Sequence, residues 1–255
     1  MNIKYLSNHK KMGNVFNNNN NNTFSISVVS LEGNIASGKS TLLEKLREVY
    51  KNYPNILFVK EPVDEWEKVK DENGVTMLEK FYENQEKYSF PFQMMAYVSR
   101  IKEFRNTVNE IKNILLTNSG KNNHFIIITE RSLYTDKMVF AKMLYDNKKI
   151  EPINYQVYLN WFDTFSSEFK VNKIIYIKTL PKICNDRIKK RSRDGECSIS
   201  LDYLESCDTY HEDMLDIIHK ESICKKKLIL DGNVDLFENT KELDVWIQKI
   251  NHFIL

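Results

Sequence analysis

Gly33-Asn34-Ile35-Ala36-Ser37-Gly38-Lys39-Ser40-Thr41 (GNIASGKST) is the stretch whose reading decides the fold. The chain has only 7 glycines, and two of them stand here, with Lys-Ser-Thr directly behind the second. Every fixed position of the phosphate-binding pattern GxxxxGK[ST] is met. Glycines let a backbone wrap around phosphates and turn its N–H groups inward. A helix that starts at this point adds partial positive charge. Lys39 then reaches the β- and γ-phosphates, and the Ser40 hydroxyl holds Mg²⁺. The bland alternative is a glycine turn capped by Ser40; the strand–loop–helix context argues against it.

That context reads outward in both directions. Phe24 to Leu31 is β-branched and apolar, and predicts a buried strand ending at Glu32-Gly33. Ser40 to Tyr50 carries Leu42, Leu43, Leu46 and Val49 at helical spacing. NILFVKEP (55–62), HFIIITE (124–130), KIIYIK (173–178) and KKLILD (226–231) predict four more strands. Helical patterns fill the gaps, the longest from about Phe90 to Leu116. Apolar strands alternating with helices imply a parallel sheet covered on both faces. Ligands of such sheets bind beyond the carboxyl ends of the strands.

The bulk composition narrows the class. The chain has 255 residues, a hydrophobic fraction of 42% and a formal charge of +2, enough for one substantial core and no global field for nucleic acid or membrane. No apolar run is long enough to span a bilayer. Cys184, Cys197, Cys207 and Cys224 lack metal-ligand spacing and read as free thiols of a reducing compartment. The 5 histidines are scattered, without a metal or catalytic pattern. Residues 1–23 contain an asparagine run (Asn17 to Asn22) and few large apolar side chains, so disorder is expected. The segment has lysines but no arginine, which favours an inert tail on a cytoplasmic protein over a mitochondrial transit peptide, the alternative.

Chemistry-bearing residues follow the strand ends. Glu61 could accept a proton from a hydroxyl attacking a γ-phosphoryl group. At Glu130-Arg131-Ser132, an acid suits Mg²⁺ and a fixed guanidinium suits developing phosphoryl charge. Within YENQEKYSFPFQMMAYVSR (82–100), Gln93 and Arg100 share one helix face, and a glutamine amide matches a base edge. Phe92 and Phe140 could stack on a base. Pro181 to Glu196 concentrates Arg187, Arg191 and Arg193 in a basic run, which suits a mobile lid over a triphosphate.

Taken together, GNIASGKST, EPVDEW, YENQEKYSFPFQ…SR, ERSLYTD, RIKKRSRDGE…LDYLE and LDGNVD, in this order, resemble the deoxyribonucleoside kinases, specifically the deoxycytidine/deoxyguanosine kinase branch. The resemblance runs from about Ser27 to Asp235. It implies an α/β P-loop kinase fold, with a five-stranded parallel sheet flanked by helices and an arginine-rich lid. The domain would be 24–255, behind a disordered tail of 1–23. It further implies ATP and Mg²⁺, a deoxyribonucleoside acceptor, no nucleic-acid or membrane partner, and a homodimer. By the same resemblance Glu61 is the general base for the sugar 5′-hydroxyl, Arg131 contacts the 5′-oxygen and phosphates, and Glu130 and Ser40 serve Mg²⁺. Tyr82 and Glu196 hold the 3′-hydroxyl. Gln93 binds the base between Phe92 and Phe140, and Trp66 lines the pocket. Arg187, Arg191 and Arg193 form the lid. Arg100 and Asp136 face the base edge, which favours purines, with deoxycytidine possible, and leaves little room for a thymine methyl. Leu236 and Phe237 depart from the family pattern near the donor base, so no donor-base contact is assigned. A nucleoside monophosphate kinase and a non-catalytic P-loop protein are the rival readings. Glu61, with no basic acceptor-phosphate site, speaks against the first, and the set Glu61, Tyr82, Gln93 and Glu196 against the second.

Overall fold

The computed structural model of the chain describes residues 14–17, 23–117, 124–191, 195–221, 223–224, 226–236 and 239–255. Runs such as Phe125 to Ile128 alternate their side chains between two faces, and every one is apolar, so both faces must be covered. The chain meets this demand with one sheet between two helical layers. A short strand β1 (Asn14–Asn17) precedes β2 (Thr23–Glu32), β3 (Ile56–Val59), β4 (His124–Glu130), β5 (Lys173–Lys178) and β6 (Lys226–Asp231). The five long-range strands pair in parallel in the order β3-β4-β2-β5-β6. From β2 the chain first fills one side of the sheet and then the other. This reversal opens a crevice at the carboxyl end of β2, where the glycine loop lies.

The helices are α1 (Lys39–Val49), α2 (Val63–Trp66), α3 (Met77–Glu83), α4 (Gln85–Thr117), α5 (Leu133–Thr135), α6 (Lys142–Asp146), α7 (Pro152–Phe165), α8 (Pro181–Arg191), α9 (Leu201–Lys220) and α10 (Thr240–Ile254). A π-helical turn, Asp136–Ala141, joins α5 to α6. On one sheet face Val28, Ile127 and Ile174 pack with Tyr97 and Ile101 of α4, Phe162 of α7 and Met214 of α9. On the other, Val29, Ile128 and Ile175 pack with Leu42, Leu43 and Leu46 of α1 and Trp246 of α10.

Two expectations change. Residues 14–17, inside the segment expected to be disordered, pair antiparallel with Thr23 to Ile26. The lower half of β2 extends beyond β5 and leaves a backbone edge there, which these residues occupy. The rest of that tail lies outside the described residues, apart from Thr23, which opens β2. The long helix starts at Gln85 rather than Phe90, because the Asn84 side chain accepts the Lys87 N–H (3.1 Å) and caps a polar first turn that apolar spacing misses. β6 lies at a sheet edge, with Leu230 covered and Ile229 52% exposed.

Candidate active site

The glycine loop is shaped by three left-handed residues, Gly33 (φ 145°), Ala36 (φ 59°) and Gly38 (φ 104°). A Cβ on Gly33 would stand 2.6 Å from the Ile177 carbonyl oxygen, so close packing as well as conformation requires glycine there. Asn34 ties the loop to α9 by donating from Nδ2 to the Leu204 carbonyl (2.8 Å). Lys39 curls back and donates to the carbonyls of Asn34 (2.6 Å) and Gly33 (3.1 Å). Burial, followed by the neighbouring Arg131, lowers its ammonium to about 8.

At the start of α1 the Ser40 hydroxyl donates to Glu130 Oε1 (2.5 Å). The other oxygen, Glu130 Oε2, is buried without a hydrogen-bond partner among the described residues. A hydroxyl and a carboxylate with an unused buried oxygen, beside a phosphate loop, make a hard-oxygen donor set that fits Mg²⁺ shared with phosphates.

Glu61 lies just beyond β3. Its Oε1 accepts from Arg100 Nη2 (3.0 Å) and forms an ion pair with Arg131, whose Nε lies 3.1 Å away. Burial opposes its charge, but Arg131, Arg100 and Lys39 together outweigh burial and hold the carboxyl below the usual glutamate range. The group is therefore ionised at neutral pH and able to take a proton. Arg131 is itself clamped. Its backbone is left-handed (φ 64°), Nη1 donates to the Gly33 carbonyl (2.8 Å), and the guanidinium lies over the Phe140 ring at 4.9 Å.

One cavity of about 820 Å³ joins these groups. It runs from Ile35 to Thr41 of the glycine loop, past Glu61, Glu130 and Arg131, to an inner pocket. Trp66, Tyr82, Phe92, Gln93, Asp136 and Phe140 line that pocket. Gln93 is 2% exposed, yet its amide makes no hydrogen bond to protein among the described residues, which leaves donor and acceptor for a ligand. Phe92 packs edge-on to Trp66 (5.4 Å) and stacks on Phe81 (4.5 Å), so a second aromatic layer stiffens the pocket wall. Burial and the nearby Glu196 push the Tyr82 phenol upward, keeping it a neutral O–H. At the outer rim Arg187 donates to the carbonyls of Val234 (3.1 Å) and Ser37 (3.4 Å), and Arg191 pairs with Glu196.

Most residues singled out in the sequence thus share one cavity. Gly33 and Asn34 form the loop behind its surface. Arg100 is a correction: it does not face the cavity. It lies beneath the pocket, donating to Asp136 through Nε (2.8 Å) and Nη2 (3.2 Å), to Glu61, and from Nη1 to the Glu130 carbonyl (2.7 Å). A guanidinium this deep stays charged because acceptors surround it, and four oxygens from Asp136, Glu61 and Glu130 converge on it. Arg193 lies outside the described residues, as does Phe237; Leu236 lines the cavity.

Other participants gain their roles only in the fold. Glu32, fully buried, accepts from Ser30 (2.6 Å), Ser132 (2.7 Å) and Thr135, binding the end of β2 to the segment after Arg131. Only its place at a strand end marks it. Phe81 and Tyr203 also line the cavity. His211 touches Arg131 across 80 residues of chain, which no local spacing reveals.

Residues 29–255 match the sequence model of the family described as deoxynucleoside kinase. Deoxycytidine kinase 1 of Xenopus laevis is 30% identical over 253 residues, covering 89% of this chain and 89% of that protein. The deoxycytidine kinase of Rattus norvegicus is 31% identical over 252 residues, covering 90% and 91%. That of Homo sapiens is 30% identical over 254 residues, covering 90% and 91%.

Proposed function

The chain belongs to the deoxynucleoside kinase family and is an ATP-dependent deoxynucleoside kinase; within that class we propose that it phosphorylates the 5′-hydroxyl of a purine deoxynucleoside, deoxyadenosine or deoxyguanosine, and accepts deoxycytidine. The observation that carries this reading is Glu61, an ionised carboxylate held by two arginines in the cavity that also contains the glycine loop.

Glu61 takes the proton of the 5′-hydroxyl as that oxygen attacks the γ-phosphoryl group. Arg131, already aimed by Gly33 and Phe140, meets the charge that develops there. Lys39 exchanges the loop carbonyls for phosphate oxygens. Ser40 and Glu130 would hold Mg²⁺, which neutralises phosphate charge when bound. Tyr82 and Glu196 hold the 3′-hydroxyl, and Gln93 reads the base edge. Arg187 and Arg191 close on the phosphates; for Arg191 this means leaving Glu196.

Burial pushes the Asp136 carboxyl upward, while Arg100, bonded to both of its oxygens, favours the ionised form, which offers only acceptors, and fixes its orientation from below. An acceptor at that edge favours an exocyclic amino group over the carbonyl and methyl of thymine. A second reading, deoxycytidine as the preferred acceptor, draws support from the relatives named above. Initial rates with the four deoxynucleosides, ATP and Mg²⁺ separate the two. We expect deoxyadenosine or deoxyguanosine to be fastest; thymidine turned over as well as the other three would overturn both.

The homodimer belongs to the same proposal. Ile153, Val157 and Trp161 recur at helical spacing on the open side of α7 and are 67%, 39% and 45% exposed. Val98 of the neighbouring α4 is 51% exposed, and such an apolar stripe suits a second copy. Cys184, Cys207 and Cys224 are free thiols, in keeping with a cytoplasmic protein.

A further inference from the structure

We propose that His211 is a positioning residue: as a neutral imidazole it holds Arg131 in the orientation that leaves one guanidinium nitrogen for the reacting phosphoryl group. The inference rests on the assignment of Arg131 to that phosphoryl group.

The geometry fixes the imidazole's protonation. His211 Nδ1 lies 2.6 Å from the Cys207 carbonyl, which can only accept, so Nδ1 carries the proton. Nε2 lies 3.3 Å from Arg131 Nη1, which can only donate, so Nε2 presents its lone pair. A second proton would set an Nε2–H against the Arg131 Nη1–H groups, with only the Gly33 carbonyl, already accepting from Arg131, near enough to receive it. In keeping with this, burial, followed by Arg131, drives the imidazolium down to about 3. The ring is fully buried and held in plane, with Tyr176 stacked beside it and Phe140 meeting it edge-on, each at 6.3 Å.

The consequence for Arg131 follows from counting donors. Nε faces Glu61 in an ion pair, and the two protons of Nη1 are taken by Gly33 and His211. Phe140 fixes the plane. Nη2 makes no protein hydrogen bond among the described residues, and the side chain borders the cavity. Without the His211 acceptor, one Nη1 proton loses its partner and the fork can swivel. His211 is thus required for aim, not for binding.

Kinetics of His211→Leu, His211→Gln, Arg131→Ala and the double variant His211→Leu/Arg131→Ala test this. Glutamine keeps an acceptor oxygen near the place of Nε2; leucine does not. We expect His211→Leu to lower kcat on the order of ten- to a hundredfold, with KM for nucleoside and ATP within about twofold. His211→Gln should recover most of the loss. In the Arg131→Ala background the leucine change should cost nothing further, because the two residues act as one unit. Unchanged kcat in His211→Leu, equal losses in the two single His211 variants, or an undiminished loss in the Arg131→Ala background overturns the proposal. Full activity of Arg131→Ala would instead bring down the phosphoryl assignment on which it rests. The wild-type protein provides a check independent of folding in the variants. In ¹⁵N-histidine spectra His211 should be neutral with its proton on Nδ1; an imidazolium, or a proton on Nε2, is equally fatal.

Discussion

At Glu61 three cations compete with burial, and the cations win. Because its native value lies below the unfolded one, Glu61 contributes stability above the ordinary glutamate range, which is lost as pH falls through its native value. Catalysis should lose its base over the same interval. Glu61→Gln keeps shape and removes the basic lone pair. ATP affinity should stay within about twofold while the phosphorylation rate falls by on the order of a hundredfold or more. A variant that retains its rate would remove Glu61 from the chemistry. Lys39 behaves in the opposite sense. Its native value of about 8 lies below the ordinary lysine value of 10.5, so between the two the unfolded chain holds more protons and stability rises with pH. Phosphates favour the charged ammonium. ATP binding near pH 8 should therefore take up protons, read by calorimetry as a dependence of the binding heat on buffer ionisation enthalpy. Identical heats in two such buffers would contradict it.

At the scale of elements, α1 shows how the loop is anchored. The helix has no side-chain N-cap; Gly38 fills that position in a left-handed conformation, and Leu42, Leu43 and Leu46 are fully buried against the sheet. The loop keeps its shape because the helix behind it cannot move. Leu46→Ala leaves every site residue in place but opens a cavity under α1. It should cost about 2–5 kcal/mol in urea unfolding. A loss below about 0.5 kcal/mol would mean that the helix is not held by this packing. The π turn Asp136–Ala141 works differently. Asp136 and Phe140, four residues apart on this turn, both line the cavity wall. Apolar spacing does not betray this element, because a π turn differs from an α turn by one hydrogen-bond step and not by residue type.

For the whole molecule, donor and acceptor ends meet in one cavity because β2, β3 and β4 end on the same side of the sheet. Helices α4 and α7 lie against one face of that sheet and carry the uncovered stripe of Val98, Val157 and Trp161. If this face joins two copies, Trp161→Lys should shift sedimentation from dimer to monomer without moving the midpoint of monomer unfolding. A wild-type protein that sediments as a monomer over the full concentration range would refute the dimer.

What the chain determines locally can be read from its sequence. The glycine loop depends on φ angles and on residues adjacent in the chain, so GNIASGKST declares itself. Five strands and the helix behind the loop follow from runs of apolar side chains. Glu61 and Glu130-Arg131 are legible because they close strands, and parallel strands present their ends to one crevice. The tertiary structure alone decides the rest. It sinks Arg100 under the pocket instead of leaving it on the wall, since a buried Asp136 needs a partner and Arg100 can satisfy three acceptors at once. It places β1 on the part of the β2 edge that β5 leaves uncovered. It joins Glu32 to Ser132 and His211 to Arg131, contacts 100 and 80 residues apart. Hydrogen bonds over such separations depend on where the backbone returns after several crossovers, and composition and spacing carry no record of that.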